Sequence, residues 1–261
     1  MFLVLLIVGL IVSSEAFEES SDDLQVRYLE RYGYLEPEFE LVGTRSGQKI
    51  ERAILNFQKL AGLKLTGVLD TKTKDMMESP RCGVKDVIAN YVIEGSKWEK
   101  QELTFAILNY PTNTKLSRQD VDKAIVKAFS MWQKASNLVF TRINSAPADI
   151  EISFSKDEHG DGEPFYGEGP ILAHAFFPKD GGDMHVDDSE NWTVDEFNGK
   201  DLMQTVVHEL GHSLGLEHSD VSSSVMAPFY RGWDPFLQPT QLTFLGENFL
   251  NNNNILHSLI Q

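Results

Sequence analysis

Residues 208 to 219 read HELGHSLGLEHS, and no other stretch limits the architecture of this 261-residue chain so tightly. His208 and His212 stand four apart, so on a helix they leave one face a turn apart and reach one point in space. Glu209 follows the first of them directly. Gly215 lets the chain leave the helix through a backbone angle that a Cβ disfavours, and the turn returns His218 to the same point. Three imidazoles with an adjoining carboxylate suit a zinc ion that keeps a fourth position for water, with Glu209 as general base. Such an ion brings its water to a pKa of ~7 and polarises a carbonyl, the chemistry of peptide-bond hydrolysis. A helix with incidental histidines is the competing reading, and the full HExxHxxGxxH pattern weighs against it.

The chain has seven histidines. Apart from the three above and His257 in the tail, His159, His174 and His185 fall in HGDGEPFYGEGPILAHAFFPKDGGDMHVDDSE, a Gly-rich stretch between strand candidates. With Asp161 they form a closed set suited to structural zinc. A loop this polar has little core of its own, so a metal would be its main source of order. The lone cysteine, Cys82, sits in SPRCGVKD. A thiolate is a strong zinc ligand, so Cys82 can take the position that water needs and hold an enzyme latent until this segment is cut away. A buried structural cysteine is the alternative, although the neighbours here are Arg81 and Gly83.

Length allows two modest domains, and 41% apolar with 24% charged residues is ordinary for a globular protein. A net charge of −16 argues against nucleic acid and anionic membrane as partners and suits bound calcium. The acidic clusters at Asp157-Glu158, Asp161-Gly162-Glu163 and Asp187-Asp188-Ser189-Glu190 offer carboxylates to such an ion, with solvated loops as the plain alternative. The opening MFLVLLIVGLIVSSEA reads as a secretory signal cut after Ala16; it is short for a membrane anchor, and no other run is long enough. NWT at Asn191 to Thr193 is a glycosylation sequon.

Apolar spacing predicts helices over Asp23 to Tyr32 and Gln48 to Ala61, with a third over Thr71 to Met77 that Asp70 caps after the Gly67 turn. Residues 102 to 110, 138 to 143 and 149 to 155 read as strands. Ser117 with Asp120 signals a capping box, and Val121, Ala124, Ile125, Ala128, Phe129 and Trp132 form one apolar stripe behind it. The histidine-bearing helix is expected to begin near Lys200.

The extended histidine motif resembles that of the metzincin zinc endopeptidases, and Ser219 after the third histidine resembles the matrixin branch. On that resemblance Met226 in SVMAPFY is the Met-turn residue beneath the zinc. Pro228, Tyr230 and Gln204 border the pocket for the residue after the cut, which Gln204 makes intermediate in depth. FQKLAGLKLTGVLDTKTKDMM resembles the peptidoglycan-binding-like module that matrixins use as a propeptide; binding a cell-wall polymer is its rival role. PRCGVKD is similar to the cysteine switch, with Arg81 and Asp86 paired and Lys85 where a proline is usual. The family's calcium would take Asp187, Glu190 and the carbonyls of Gly167, Gly169 and Ile171, although Tyr166 stands where an aspartate is expected. A second calcium would use Asp149 and Asp183, across a connection two residues shorter than usual.

The resemblance implies a mixed α+β fold: a small helical propeptide, then a protease domain with a twisted, mainly parallel sheet, two long helices and a metal-bound loop. The expected division is a signal at 1–16, a propeptide at 17–90, a catalytic domain at 91–238 and an atypical tail at 239–261, without the usual final helix or a hemopexin domain. The implied protein is a secreted, monomeric zymogen with two zinc ions and calcium. Its partners would be extracellular matrix substrates, an activating protease and tissue inhibitors of metalloproteinases. The odd tail keeps open a second reading, a zinc protein that binds substrates or inhibitors without cutting.

Overall fold

The computed structural model describes residues 21–36, 44–86 and 97–237. The expected signal, most of residues 87–99, which read as a linker, and the tail after 238 lie outside them. Helices α1 (Ser21–Arg31), α2 (Thr44–Leu60) and α3 (Thr71–Met77) form the N-terminal unit. Their apolar stripes meet at Leu29, Ile54, Phe57 and Met77, each 4% exposed or less. Burying a side chain of this size contributes about 1.5–3 kcal/mol. α2 starts at Thr44, a turn before the expected Gln48, because its first turn is polar and carries no periodic signal. Asp70 caps α3 through Thr73 N. The fully buried Gln58 fixes the turn before it, accepting from Thr66 N and Gly67 N and donating to Thr73 Oγ1.

Next come β1 (Arg81–Cys82), β2 (Glu102–Ile107), α4 (Arg118–Ala135), β3 (Val139–Arg142), β4 (Ile150–Ser155), β5 (Ile171–Ala175), β6 (Met184–Asp187), β7 (Trp192–Thr193), β8 (Lys200–Asp201) and α5 (Leu202–Ser213). One sheet runs β1-β5-β6-β4-β2-β3; every pairing is parallel except β5 with β6. β2 stops at Ile107 rather than 110 because the Asn109 side chain takes over, bonding both Phe154 N and Phe154 O. α4 starts with the expected capping box on Ser117 and Asp120, and its whole predicted stripe is buried. α4 and α5 pack together on the sheet, joined where Trp132 Nε1 donates to Val207 O at 2.9 Å.

The stretch expected to be a loop without a core contains β5 and β6. Every residue of β5, sequence ILAHA, is buried. A strand covered on both faces loses the alternation that would announce it, and the surrounding glycines hid the rest. α5 begins two residues after Lys200, which is held in β8, and Asp201 caps it through Gln204 N. Among the described residues no helix is long and apolar enough to cross a membrane.

Candidate functional site

α5 is buried along almost its entire length, which seats His208, Glu209 and His212 in the core side of a cleft. A Cβ at Gly211 would collide with the sulfur of Met226, the expected Met-turn residue, which is fully buried against α5. Gly215 turns the chain at φ 99°, as expected, and brings His218 back. His208 Nδ1 lies 2.7 Å from Val225 O and His212 Nδ1 2.7 Å from Leu216 O. A carbonyl can only accept, so both Nδ1 atoms carry the proton and both Nε2 lone pairs face inward.

Those lone pairs converge. His218 Nε2 is 3.3 Å from His208 Nε2 and 3.2 Å from His212 Nε2, while Cys82 Sγ is 3.5 Å from His212 Nε2. The four ligand atoms lie within 4.8 Å of one another. Burial, with the neighbouring imidazoles, lowers the pKa of His208 to about 3 and that of His212 well below its ordinary value, so these rings stay neutral. Neutral nitrogens turned towards each other around one point repel unless a cation sits among them, so the set fits zinc.

Glu209 stands outside that set. Its Oε2 is 3.3 Å from Cys82 Sγ, and burial raises its pKa to about 8. Burial, reinforced by Glu209, pushes the Cys82 thiol up as well.

The second set is equally compact. His159 Nε2, His174 Nε2 and His185 Nδ1 lie 3.0, 2.8 and 2.7 Å from the single oxygen Asp161 Oδ2, and His174 Nε2 is 3.3 Å from His185 Nδ1. β5 and β6, paired so that His174 faces His185, set this geometry. Three ring nitrogens on one carboxylate oxygen again call for a cation at their centre.

Asp187 and Glu190 are fully buried. One oxygen of each is bonded, to Ser189 N and Gly169 N, while Asp187 Oδ2 and Glu190 Oε2 have no hydrogen-bond partner among the described residues. Burial raises both carboxyl pKa values. Two such oxygens, with Glu190 held against the backbone at Gly169, suit a calcium ion; the carbonyls of Gly167, Gly169 and Ile171 stay an expectation of the family resemblance. Asp149 and Asp183 are turned to other partners: Asp149 holds Thr104 N and Lys100 Nζ, and Asp183 Oδ1 accepts from Glu151 N. Tyr166 is 71% exposed, with Arg31 over its ring at 5.6 Å. Asn191 is exposed in the turn before β7.

A cleft of about 380 Å³ runs from Glu209 past Gln204, Pro228 and Tyr230 to Leu237. β1 lies in it, hydrogen-bonded on both sides. Arg81 N and Gly83 N donate to Pro170 O and Ala173 O at 2.5 and 2.8 Å; Cys82 N donates to Pro228 O at 3.0 Å, and Tyr230 N to Pro80 O at 2.8 Å. Arg81 is fully buried, its guanidinium 3.6 Å from the Tyr32 ring centre and 4.9 Å from that of Phe229, and it is paired with Asp86 at 2.5 Å. The aromatic cage was not legible beforehand, because Tyr28 and Tyr32 read simply as helix positions and Phe229 as a neighbour of the expected wall.

Gln204 spends both ends of its amide on the loop opposite, donating to Gly232 O at 3.2 Å and accepting from Asp234 N. Only its aliphatic stem is left to face the cleft. Gln204→Leu removes both bonds, about 1 kcal/mol each. Hydrogen exchange at the Asp234 amide should accelerate by roughly tenfold in that variant, with β5 and β6 unchanged; unaltered exchange at Asp234 would show that the amide does not hold the loop.

A family model described as matrixin matches residues 97–241, and one described as putative peptidoglycan binding domain matches residues 24–77. Stromelysin-1 of Mus musculus is 43% identical over 218 residues, 82% of this chain and 45% of that protein. Matrix metalloproteinase-18 of Xenopus laevis is 42% identical over 83% of this chain and 46% of its own, and interstitial collagenase of Equus caballus 42% identical over 84% and 47%. The chain thus spans a little under half the length of these relatives.

Proposed function

Since the chain belongs to the matrixin family, we propose that it is a secreted zinc endopeptidase made as a latent zymogen, with 1–16 as signal, 17–90 as propeptide and 91–238 as catalytic domain. The observation that carries this reading is the meeting of Cys82, from the N-terminal unit, with His208, His212 and His218 at one point in the cleft. His208, His212 and His218 would hold a zinc ion there, and such an ion would supply carbonyl polarisation and a water of lowered pKa. The chain's own part is proton transfer and alignment. Glu209 Oε2, which faces the place the thiol occupies, takes a proton from water and returns it to the departing amine.

With β1 withdrawn, Pro170 O, Ala173 O and Pro228 O become free acceptors and Tyr230 N a free donor. A row of this kind aligns an extended peptide by strand addition. The apolar wall at Pro228, Tyr230 and the Gln204 stem favours a medium apolar residue such as Leu after the cut. Extracellular matrix proteins are the proposed substrates, in keeping with relatives named for collagenase activity. An activating protease cutting within residues 87–99 releases the enzyme, and tissue inhibitors of metalloproteinases are the proposed regulators. Zinc at Asp161 with its three histidines and calcium at Asp187 and Glu190 hold the loop beside the cleft. The N-terminal unit serves as a propeptide rather than as a polymer binder, because its switch strand and its Arg81 cage are spent on the cleft, with Phe57 6.1 Å from Phe229.

Cys82→Ser tests the reading directly. The uncut variant should hydrolyse a quenched fluorescent peptide, with Leu after the scissile bond, at least about tenfold faster than the uncut wild type, a shift of ~1.4 kcal/mol in the latch. A zinc chelator should abolish that activity. A variant as silent as the wild type, while trypsin-cut wild type is active, would mean that the thiol is not the latch.

A further inference from the structure

Two of the three zinc-type histidines of α5 and its turn find their outer partners within the catalytic unit. His208 Nδ1 meets Val225 O and His212 Nδ1 meets Leu216 O. The third does not. His218 Nδ1 is buried, has no aligned hydrogen bond among the described residues, and lies 2.7 Å from Asp86 Oδ1, a close but oblique approach. Asp86 belongs to the switch segment. Its side chain is fully buried there, paired with Arg81 at 2.5 Å, and it accepts from Tyr34 Oη at 2.6 Å. Its backbone N–H donates to Tyr32 O, so the N-terminal unit fixes the position of its carboxylate.

A histidine that ligates a metal through Nε2 binds more tightly when its Nδ1–H donates to a carboxylate or carbonyl, which sets the tautomer and raises the basicity of the ligating nitrogen. Resting on the zinc reading above, we propose that Asp86 is the outer partner of His218 and a positioning residue for zinc. The N-terminal unit would then contribute to the metal centre twice, through the Cys82 thiolate and through a carboxylate on the far side of the third imidazole. Two consequences follow from the position of Asp86. Zinc is held more firmly in the zymogen than the thiol alone accounts for, and loss of the switch segment leaves His218 as the one ligand without its outer partner.

Zinc retention in the full-length chain tests this, read by competition with a chromophoric chelator rather than by turnover. Every arm carries Cys82→Ser, so the thiolate is absent throughout, and His212→Ala identifies which release phase belongs to this centre. Asp86→Ala should weaken zinc binding at that centre about tenfold or more, and Asp86→Asn, which keeps an acceptor oxygen, should weaken it less. Tyr34→Phe is the structural control. It removes a hydrogen bond from the same carboxylate without touching His218, and should leave zinc affinity within about twofold. Equal losses in Tyr34→Phe and Asp86→Ala, or no loss in either, would overturn the proposal.

A second measurement needs no substitution at Asp86. In the zinc-loaded wild-type chain, the His218 Nδ1 proton should be protected from exchange and hydrogen-bonded in nitrogen-15 spectra; a freely exchanging proton would refute the partnership even if Asp86→Ala proved unfoldable. If His212→Ala removes no zinc at all, the zinc reading itself fails and takes this inference with it, a result distinct from normal zinc binding that ignores Asp86.

Discussion

Replacing Glu209 by glutamine lowers kcat/KM on the fluorescent peptide by about 10²–10⁴-fold and leaves the zinc content of the activated protein unchanged. The two halves of this expectation have separate causes. Zinc content holds because the converging set consists of Cys82, His208, His212 and His218, with Glu209 beside it rather than in it. Glutamine matches glutamate in shape, so α5, in which Glu209 is 1% exposed, keeps its packing and both neighbouring ligands. Turnover falls because an amide oxygen can accept a hydrogen bond but cannot carry a proton from water to a leaving amine. The side chain already faces the right place, since Oε2 lies 3.3 Å from the sulfur whose position water would take on the proposed latch reading. Metal analysis alongside the kinetics checks both halves. Full turnover with intact zinc would remove Glu209 from the proton transfer, and lost zinc would make it a structural residue.

How far the sequence could be read depended on whether a feature is local. The histidine motif, the Asp70 and Ser117 caps and the α4 stripe are each written within a few turns of chain, and each has its expected place in the structure. The second histidine set was legible too, because metal ligands are rare residue types whose spacing stands out in a polar stretch. β5 was not, because burial on both faces removes alternation, and β6 was not, because its four residues are too short a run to stand out in a polar, glycine-rich stretch. The Arg81 cage and the approach of Asp86 to His218 join residues 53 and 132 positions apart in the chain, and no local pattern marks such pairs. The Gln204 clamp was half visible: its place on the wall could be named, but only the fold shows that its amide is turned onto the 232–234 loop.

The second large effect concerns the loop beside the cleft. Asp161→Ala should cost the protein one of two bound zinc ions and lower its melting temperature by roughly 10–20 °C. Asp161 is the group on which all three nitrogens converge, from 2.7 to 3.0 Å, and an alanine leaves three ring nitrogens aimed at one point with no carboxylate to balance the ion. Burial, only partly offset by Asp161, lowers the His174 pKa to about 4, so that ring stays neutral at neutral pH and cannot stand in for the metal. Structural zinc contributes about 10–16 kcal/mol of apparent binding free energy in small domains. Losing even half of the lower figure, about 5 kcal/mol, corresponds to roughly 10–20 °C at ~2–4 °C per kcal/mol for a domain of this size. The damage should also reach the cleft. β5 carries His174 on the metal side and Ala173 O, which β1 uses now and a substrate would use later, on the same five-residue strand. KM should therefore rise in the activated variant while its α5 zinc stays bound. Zinc counting with calorimetry checks the first effect and peptide kinetics the second. Unchanged stability with one zinc gone would mean that β5 and β6 hold the loop by pairing and packing alone.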